Sequence, residues 1–280
     1  MKYLLVSYSK CGTKSYTQAF RQLGFDQSKI CDFKENVIDH NDFWYEILQQ
    51  KTSKKRTQEL FYNMYKDKIL AADVPCIHYW YEIYQVFPEV KFIFYQRDLE
   101  KWLKSMENQW ESINNITCRP DWVSSILVFI FSPLRRKLRK LLHLTLEKTM
   151  AGSTYRPRRD WLGRKMPFSD LHVSQSYRKH CADFLYTVTT KNMDKDKVLI
   201  LDEKTVYQWK PLCDFLGKEV PKDLTGEVLP FPHKNRDGEY TKEFVEQVKP
   251  VIVREFLTRS ALMIILVILI WYLLRKFGIF

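Results

Sequence analysis

The stretch Tyr3-Leu4-Leu5-Val6-Ser7-Tyr8-Ser9-Lys10-Cys11-Gly12-Thr13-Lys14-Ser15-Tyr16 decides how this chain is read. Tyr3 to Val6 is a short apolar run of the kind that makes a buried strand. A turn with one glycine, several hydroxyls and two lysines follows. Tyr16-Thr17-Gln18-Ala19-Phe20-Arg21-Gln22-Leu23-Gly24 then reads as a helix, with Phe20 and Leu23 on one face and Gly24 as its stop. Strand, polar loop, helix is a way for a backbone to offer N–H groups and the positive end of a helix dipole to a phosphate. Gly12 can take angles other residues avoid, so the loop can close around an anion. Lys10 and Lys14 add charge, and Thr13 and Ser15 add hydroxyl donors. The same residues also suit an ordinary strand-to-helix turn with surface lysines. The loop is not a nucleotide-hydrolase P-loop, which needs G-x-x-x-x-G-K-[ST]: Thr13 stands at its second glycine and Tyr8 at its first.

Ser7-Tyr8-Ser9-Lys10-Cys11-Gly12-Thr13-Lys14 resembles the T-Y-P-K-S-G-T-T loop of the sulfotransferases, P-loop-like α/β enzymes that bind the 5′-phosphosulfate end of PAPS. Tyr8, Lys10, Gly12 and Thr13 match, while Cys11 replaces a serine. Ser15 stands where cytosolic members carry an adenine-stacking tryptophan. A membrane-associated branch with a G-T-x-S loop also lacks that tryptophan.

The 280 residues suffice for one sizeable α/β domain or two small ones. The formal charge of +12 is uneven: residues 119–165 hold twelve Lys/Arg against three acids. Such a cluster can serve nucleic acid, an acidic substrate or an anionic membrane; its apolar neighbours favour membrane, and no nucleic-acid partner is expected. The six cysteines (11, 31, 76, 118, 181, 213) form no C-x-x-C pair, which suits a reducing compartment and gives no reason to expect a metal. With no signal peptide before the first strand, the main domain is expected in the cytosol. Residues 261–274 are uncharged and apolar. With Phe256, Leu257 and a snorkelling Arg259, the run 256–276 approaches the roughly 20 residues that cross a bilayer. Trp271 and Tyr272, followed by Arg275-Lys276, look like an interfacial belt.

Between these ends, residues 26–38 read as polar and irregular, and 41–65 as helix with a charged break at 51–56. Lys68 to Pro75 is a short strand ending in Asp73-Val74-Pro75, a place where open α/β sheets display function. Ile77 to Phe87 is an aromatic-rich helix. Lys91 to Asp98 is another strand, followed by a helix from Leu99 to Trp110. Trp122 to Leu134 is apolar but short for a span. It runs into a basic helix with Leu134, Leu138, Leu141 and Leu142 on one face, suited to anionic lipid or to packing on the domain. Ser174 to Thr190 is helical, Lys197 to Asp202 is a fourth strand, and Trp209 to Gly217 is a helix with a glycine stop.

The order of elements strengthens the resemblance. Sulfotransferases bind the 3′-phosphate of PAPS with an Arg at a strand end and a Ser in the next helix, which Arg97 and Ser105 match; Leu99 replaces the family's proline. Arg offers a planar fork to a phosphate and Ser a neutral donor. Arg97 would equally serve as structural glue with Asp73 or Asp98. The W-x-P-L-C-x-F-L-G-x-x-V-P wording from Trp209 to Pro221 is similar to the membrane-associated branch. Pro230 to Gly238, with His233, Lys234 and Arg236, lies where the family places a late basic loop.

The resemblance implies an α/β fold, a P-loop-NTPase-like parallel sheet flanked by helices (1–250), to which charge and hydropathy add a basic amphipathic insertion (119–165) and a C-terminal transmembrane or membrane-anchoring helix (256–276). It implies PAPS as co-substrate, with Lys10, Cys11, Gly12, Thr13, Lys14, Ser15, Arg97, Ser105 and Lys234 around it. A hydroxyl acceptor of unknown identity would receive the sulfuryl group. In place of the family's catalytic histidine this chain has Asp73, the candidate base, with His78 as the alternative. Membrane lipids are expected partners through 256–276 and 122–142. A catalytically weakened relative acting as a membrane scaffold is the competing reading. A P-loop kinase is disfavoured by Thr13 and by the lack of a clear Mg²⁺-binding acid; Asp73 and Asp202 are the strand-end candidates.

Overall fold

The computed structural model describes residues 1–49, 52–117, 132–133, 137, 140–141, 144–145, 170–191, 193–233 and 239–277. Five parallel strands form one sheet in the order β2-β3-β1-β4-β5: β1 (Tyr3–Leu5), β2 (Ile30–Cys31), β3 (Leu70–Ala72), β4 (Lys91–Tyr95) and β5 (Val198–Leu201). The central strand β1 pairs with β3 on one side and β4 on the other, Leu4 lying opposite Ala71 and Phe92. Leu4, Leu5, Leu70, Ala71 and Ala72 are buried, as near-continuous apolar runs in a covered parallel sheet should be.

The helices are α1 (Thr13–Gln22), α2 (Phe33–Ile38), α3 (Asn41–Leu48), α4 (Lys54–Tyr65), α5 (Trp80–Val86), α6 (Leu99–Thr117), α7 (Asp170–Thr190), α8 (Trp209–Leu216) and α9 (Glu239–Lys276). On one sheet face Tyr3 meets Phe20 of α1 and Phe215 of α8, at ring-centroid distances of 5.5 and 6.4 Å. On the other, Phe92 and Phe94 meet Phe184 of α7 at 5.7 and 4.6 Å, and Trp80 of α5 packs on Phe92 at 6.0 Å. Strand residues alternate faces, so these contacts define helix layers on both sides of the sheet.

The α/β expectation holds, with shifted boundaries. The first helix starts at Thr13 rather than Tyr16, because Gly12 takes a left-handed N-cap conformation (φ 80°). Residues 26–38 are not irregular: they hold β2 and α2. Asp32 caps α2 in a reciprocal capping box with Glu35, a polar signal in a stretch too short for periodicity to reveal. The helix after β4 runs on to Thr117 rather than ending at Trp110. Gly217 (φ 64°) ends α8 as its sequence suggests.

The basic amphipathic segment lies mostly outside the described residues. Of those described, Lys137 pairs with Asp42 on α3, Lys140 lies over the Tyr45 ring at 5.0 Å, and Leu141 is buried. The final helix is longer than expected, passing through Pro250; its part Lys249–Lys276 is long and apolar enough to cross a membrane (mean hydropathy 2.2) and none of it is buried.

Asn36 of α2 ties the β2–β3 edge together. Its side-chain nitrogen donates to Ala72 O (3.2 Å), and its oxygen accepts from Tyr65 (2.7 Å) and Trp44 Nε1 (3.2 Å). All of these groups are buried. Asn36→Ala would strand the two donors, each costing about 1–3 kcal/mol. Denaturant unfolding should show a loss of at least about 3 kcal/mol, where a loss below about 1 kcal/mol would refute the role given to this side chain.

Candidate functional site

The loop between β1 and α1 lies at the carboxyl ends of three adjacent strands, and each neighbour sends one side chain to hold it. Lys10 (φ 68°) and Gly12 (φ 80°) are left-handed and flank Cys11. Backbone that alternates in this way makes a concavity lined by N–H groups. The first turn of α1 opens beside it, where Tyr16 N–H makes the first helical bond, to Gly12 O (3.1 Å); the amides of Thr13, Lys14 and Ser15 precede that ladder. Thr13 and Ser15 are buried within this turn.

From β3, Asp73 turns back in a left-handed conformation (φ 66°). Its Oδ1 accepts from Ser9 Oγ and Val74 N, both at 2.8 Å, and its Oδ2 accepts from Thr13 Oγ1 at 3.2 Å. From the far end of β4, Arg97 donates through Nη1 to Lys10 O (2.9 Å). From α6, Trp102 Nε1 donates to Ser9 O (2.8 Å), and Lys10 Nζ reaches Gln109 Oε1 (3.3 Å). Ser105 lies one turn after Trp102 and one before Gln109, hence on the face of α6 that lines the loop. Lys10 and Arg97 thus bring two cationic groups to one loop, with Ser105 alongside.

Lys14 is placed differently. It sits at the second position of α1 and its ammonium meets Asp32 Oδ2 at 2.8 Å, both side chains being nearly buried. Burial alone would raise the Asp32 carboxyl, but Lys14 and hydrogen bonds from its neighbours hold it below the usual carboxylate range. Glu35 is raised, by burial and then by the adjacent Asp32. The Cys11 side chain is fully buried behind the loop. Burial, and next the neighbouring Cys181, push its thiol up to about 12, so it is no thiolate nucleophile.

His78, one short turn beyond Asp73, is half-buried with its ring 5.5 Å from that of Tyr8. Beneath lies an aromatic cluster: Tyr8 meets Trp102 and Tyr177 at 5.6 and 5.8 Å, and Trp102 stacks on Tyr177 at 4.3 Å. His180 of α7 packs on Tyr8 at 5.0 Å and bonds Val6 O through Nε2 (2.7 Å).

Two contributors are not visible in the local sequence pattern. Tyr207 places its hydroxyl 3.3 Å from where a Cβ on Gly12 would sit, and its ring 4.1 Å from that of His233. It comes from the turn after β5, where the Asp202 carboxylate accepts from the amides of Lys204 and Thr205 (3.0 and 2.8 Å), and Tyr16 bonds Val206 O. Gln109 is the other, reaching Lys10 from 99 residues away in sequence. Lys234 and Arg236 fall outside the described residues. Among the described residues no group of His, Cys, Asp and Glu is arranged to hold a metal ion.

The two lysines should separate on mutation. Lys14→Ala leaves the buried Asp32 only the more distant Arg21 (3.9 Å) in place of an ammonium at 2.8 Å and should cost about 3 kcal/mol of stability, whereas Lys10→Ala should leave the melting temperature of the protein alone nearly unchanged. Equal destabilisation by the two would contradict this placement. A pH dependence also follows. Burial lowers the His180 pKa from 6.5 to about 4. Between those values the unfolded chain takes up a proton that the fold refuses, so stability drops as pH falls through this window. The raised Glu35 acts in the opposite sense, the fold keeping a proton that the unfolded chain has released. Thermal melts from pH 7 to 4.5 should therefore show a steeper acid loss in Glu35→Gln than in the wild type, and a flatter one in His180→Gln.

Comparison with known proteins agrees with this geometry. Ava biosynthesis cluster protein M of Aspergillus versicolor is 24% identical over 236 residues, 83% of this chain and 80% of that protein. The profile of the family described as "Sulfotransferase domain" fits residues 2–240. A loop braced from β3 and β4, at the end of the central strand of a five-stranded parallel sheet, thus sits within a chain that belongs to the sulfotransferase-domain family.

Proposed function

We propose that this protein is a membrane-tethered sulfotransferase that moves a sulfuryl group from PAPS to a hydroxyl acceptor. The observation that carries the reading is the convergence of Lys10 and Arg97 on one loop, with the N-terminus of α1 opening into it. The site fits a nucleotide with two phosphate ends: two cations, a helix N-terminus, a hydroxyl at Ser105, and a left-handed glycine at position 12 against which Tyr207 packs. PAPS, when bound, supplies the activated sulfuryl group.

The chain's own residues do the rest. The loop from Cys11 to Ser15 holds the 5′-phosphate. Arg97 and Ser105 hold the 3′-phosphate, and Tyr207 with His233 closes the side of the loop next to Gly12. Lys10 neutralises charge that grows on the leaving side, a task for a positioned cation rather than for covalent chemistry. Both Asp73 oxygens are engaged by Ser9, Val74 and Thr13, so Asp73 braces the loop, and the acceptor proton falls to His78, an imidazole beside the same strand end.

The tether is α9. Residues 256–276 give about 31 Å of helix, matching a bilayer's hydrocarbon core. Lys242, Lys249 and Arg254 lie just before this span and Arg259 in its first turn, a basic flank that suits the cytosolic side of a membrane. Lipid contact is proposed through this helix and through 122–142, of which the described lysines 137 and 140 turn to α3.

The test is binding of PAP, the desulfated product, to the full chain in detergent, with ATP as control. At a hundred times its dissociation constant PAP should stabilise the fold by about 2.7 kcal/mol. Lys10→Ala and Arg97→Ala should abolish the effect, and ATP should have none. His78→Ala should keep PAP affinity and lower turnover by about 100-fold or more. A folded protein indifferent to PAP would sink the reading, leaving a scaffold at the membrane.

A further inference from the structure

The membrane helix is not hung on a flexible leash. Ile252 packs against the hydrophobic core of the domain, and the fully buried Ser132 donates to Glu255. Phe256, where the apolar run begins, is the next residue and is itself half-buried. Helix α9 is continuous through this junction, and it also packs against α6.

Helix α6 is the wall of the phosphate loop. It holds Ser9 O through Trp102 and meets Lys10 Nζ through Gln109. Gln109 is at most ten residues from either end of α6, so wherever α9 rests on it, the contact lies within about 15 Å along the helix of the residue that touches Lys10. One pair of packed, continuous helices therefore links the proposed bilayer segment to the candidate sulfuryl-transfer centre and sets both its height and its orientation.

Such a mount gives no advantage toward a solute, which arrives from any direction. For a molecule confined to the interface, it replaces a three-dimensional search with a high and constant effective concentration. We infer that the acceptor is a bilayer-resident amphiphile whose hydroxyl lies at the lipid–water interface. This rests on the sulfotransferase reading above. The acceptor oxygen would form the new O–S bond as the S–O bond to the 5′-phosphate breaks. The electron pair leaves with PAP and the hydroxyl proton passes to His78.

The experiment uses the full chain in phosphatidylcholine vesicles carrying cholesterol, diacylglycerol or a glycosylceramide, with [³⁵S]PAPS. PAP binding to the same vesicles is measured first. Sulfated product in the organic phase is expected with at least one of the three. A twelve-residue Gly-Ser insertion between Glu255 and Phe256, which frees the domain from its mount, should lower that turnover at least tenfold with PAP affinity unchanged. Three results would overturn the inference: no lipid product while PAP binds, turnover confined to a soluble hydroxyl such as 4-nitrophenol, or full lipid turnover in the insertion variant. Absence of PAP binding would instead remove the sulfotransferase reading beneath it.

Discussion

The carboxylate of Asp73 is the constraint on which the site depends. A loop that places Lys10 and Gly12 in left-handed conformations around Cys11 does not hold that shape by itself; for a lysine such a conformation is costly. Asp73 clamps the loop on both sides of its apex, at Ser9 and Thr13, and Arg97 fixes the carbonyl of Lys10 between them. These two residues follow the strands on either side of β1. Strand order is therefore a functional matter: only when β3 and β4 both flank β1 do an acid and a guanidinium reach the same loop.

The same arrangement explains what each charge does. Arg97 spends one nitrogen on the backbone and keeps a fork with further donors. Lys10 is tied to a neutral amide, Gln109, which orients it without cancelling its charge. Lys14, four residues on, is neutralised by Asp32 instead. Of the two lysines that flank the glycine in sequence, one keeps its charge beside the loop and the other pairs it within the fold.

Much of this was legible in the sequence, and the limits are physical. The apolar strands at residues 3–6, 68–72, 91–95 and 197–201 announce a covered parallel sheet, because each is short, continuous and followed by polar residues. The Ser9-Lys10-Cys11-Gly12-Thr13 loop points to phosphate chemistry through its residue types, whereas the Arg97–Ser105 pair does so only through the resemblance to the sulfotransferases. Strand β2 was not legible, since two residues carry no periodicity and what fixes them is a capping box and the buried Asn36. The direction of Lys14 could not be read either: it depends on the helix starting at Thr13, which Gly12 alone allows. Tyr207 and Gln109 reach the loop from afar through tertiary packing, which local pattern does not encode.

The Lys14–Asp32 pair has a consequence for which substitutions this chain tolerates. Each partner is buried, so losing either one first strands a charge in the interior, and the chain must survive that intermediate before the second change can repair it. Replacing both with apolar residues of similar size would be close to neutral, yet no single step leads there without crossing a deep stability trough. The pair thus works as a latch with two keys: neither residue can be changed alone without leaving the other short of its near partner, so the β2–α2 unit stays fastened to α1.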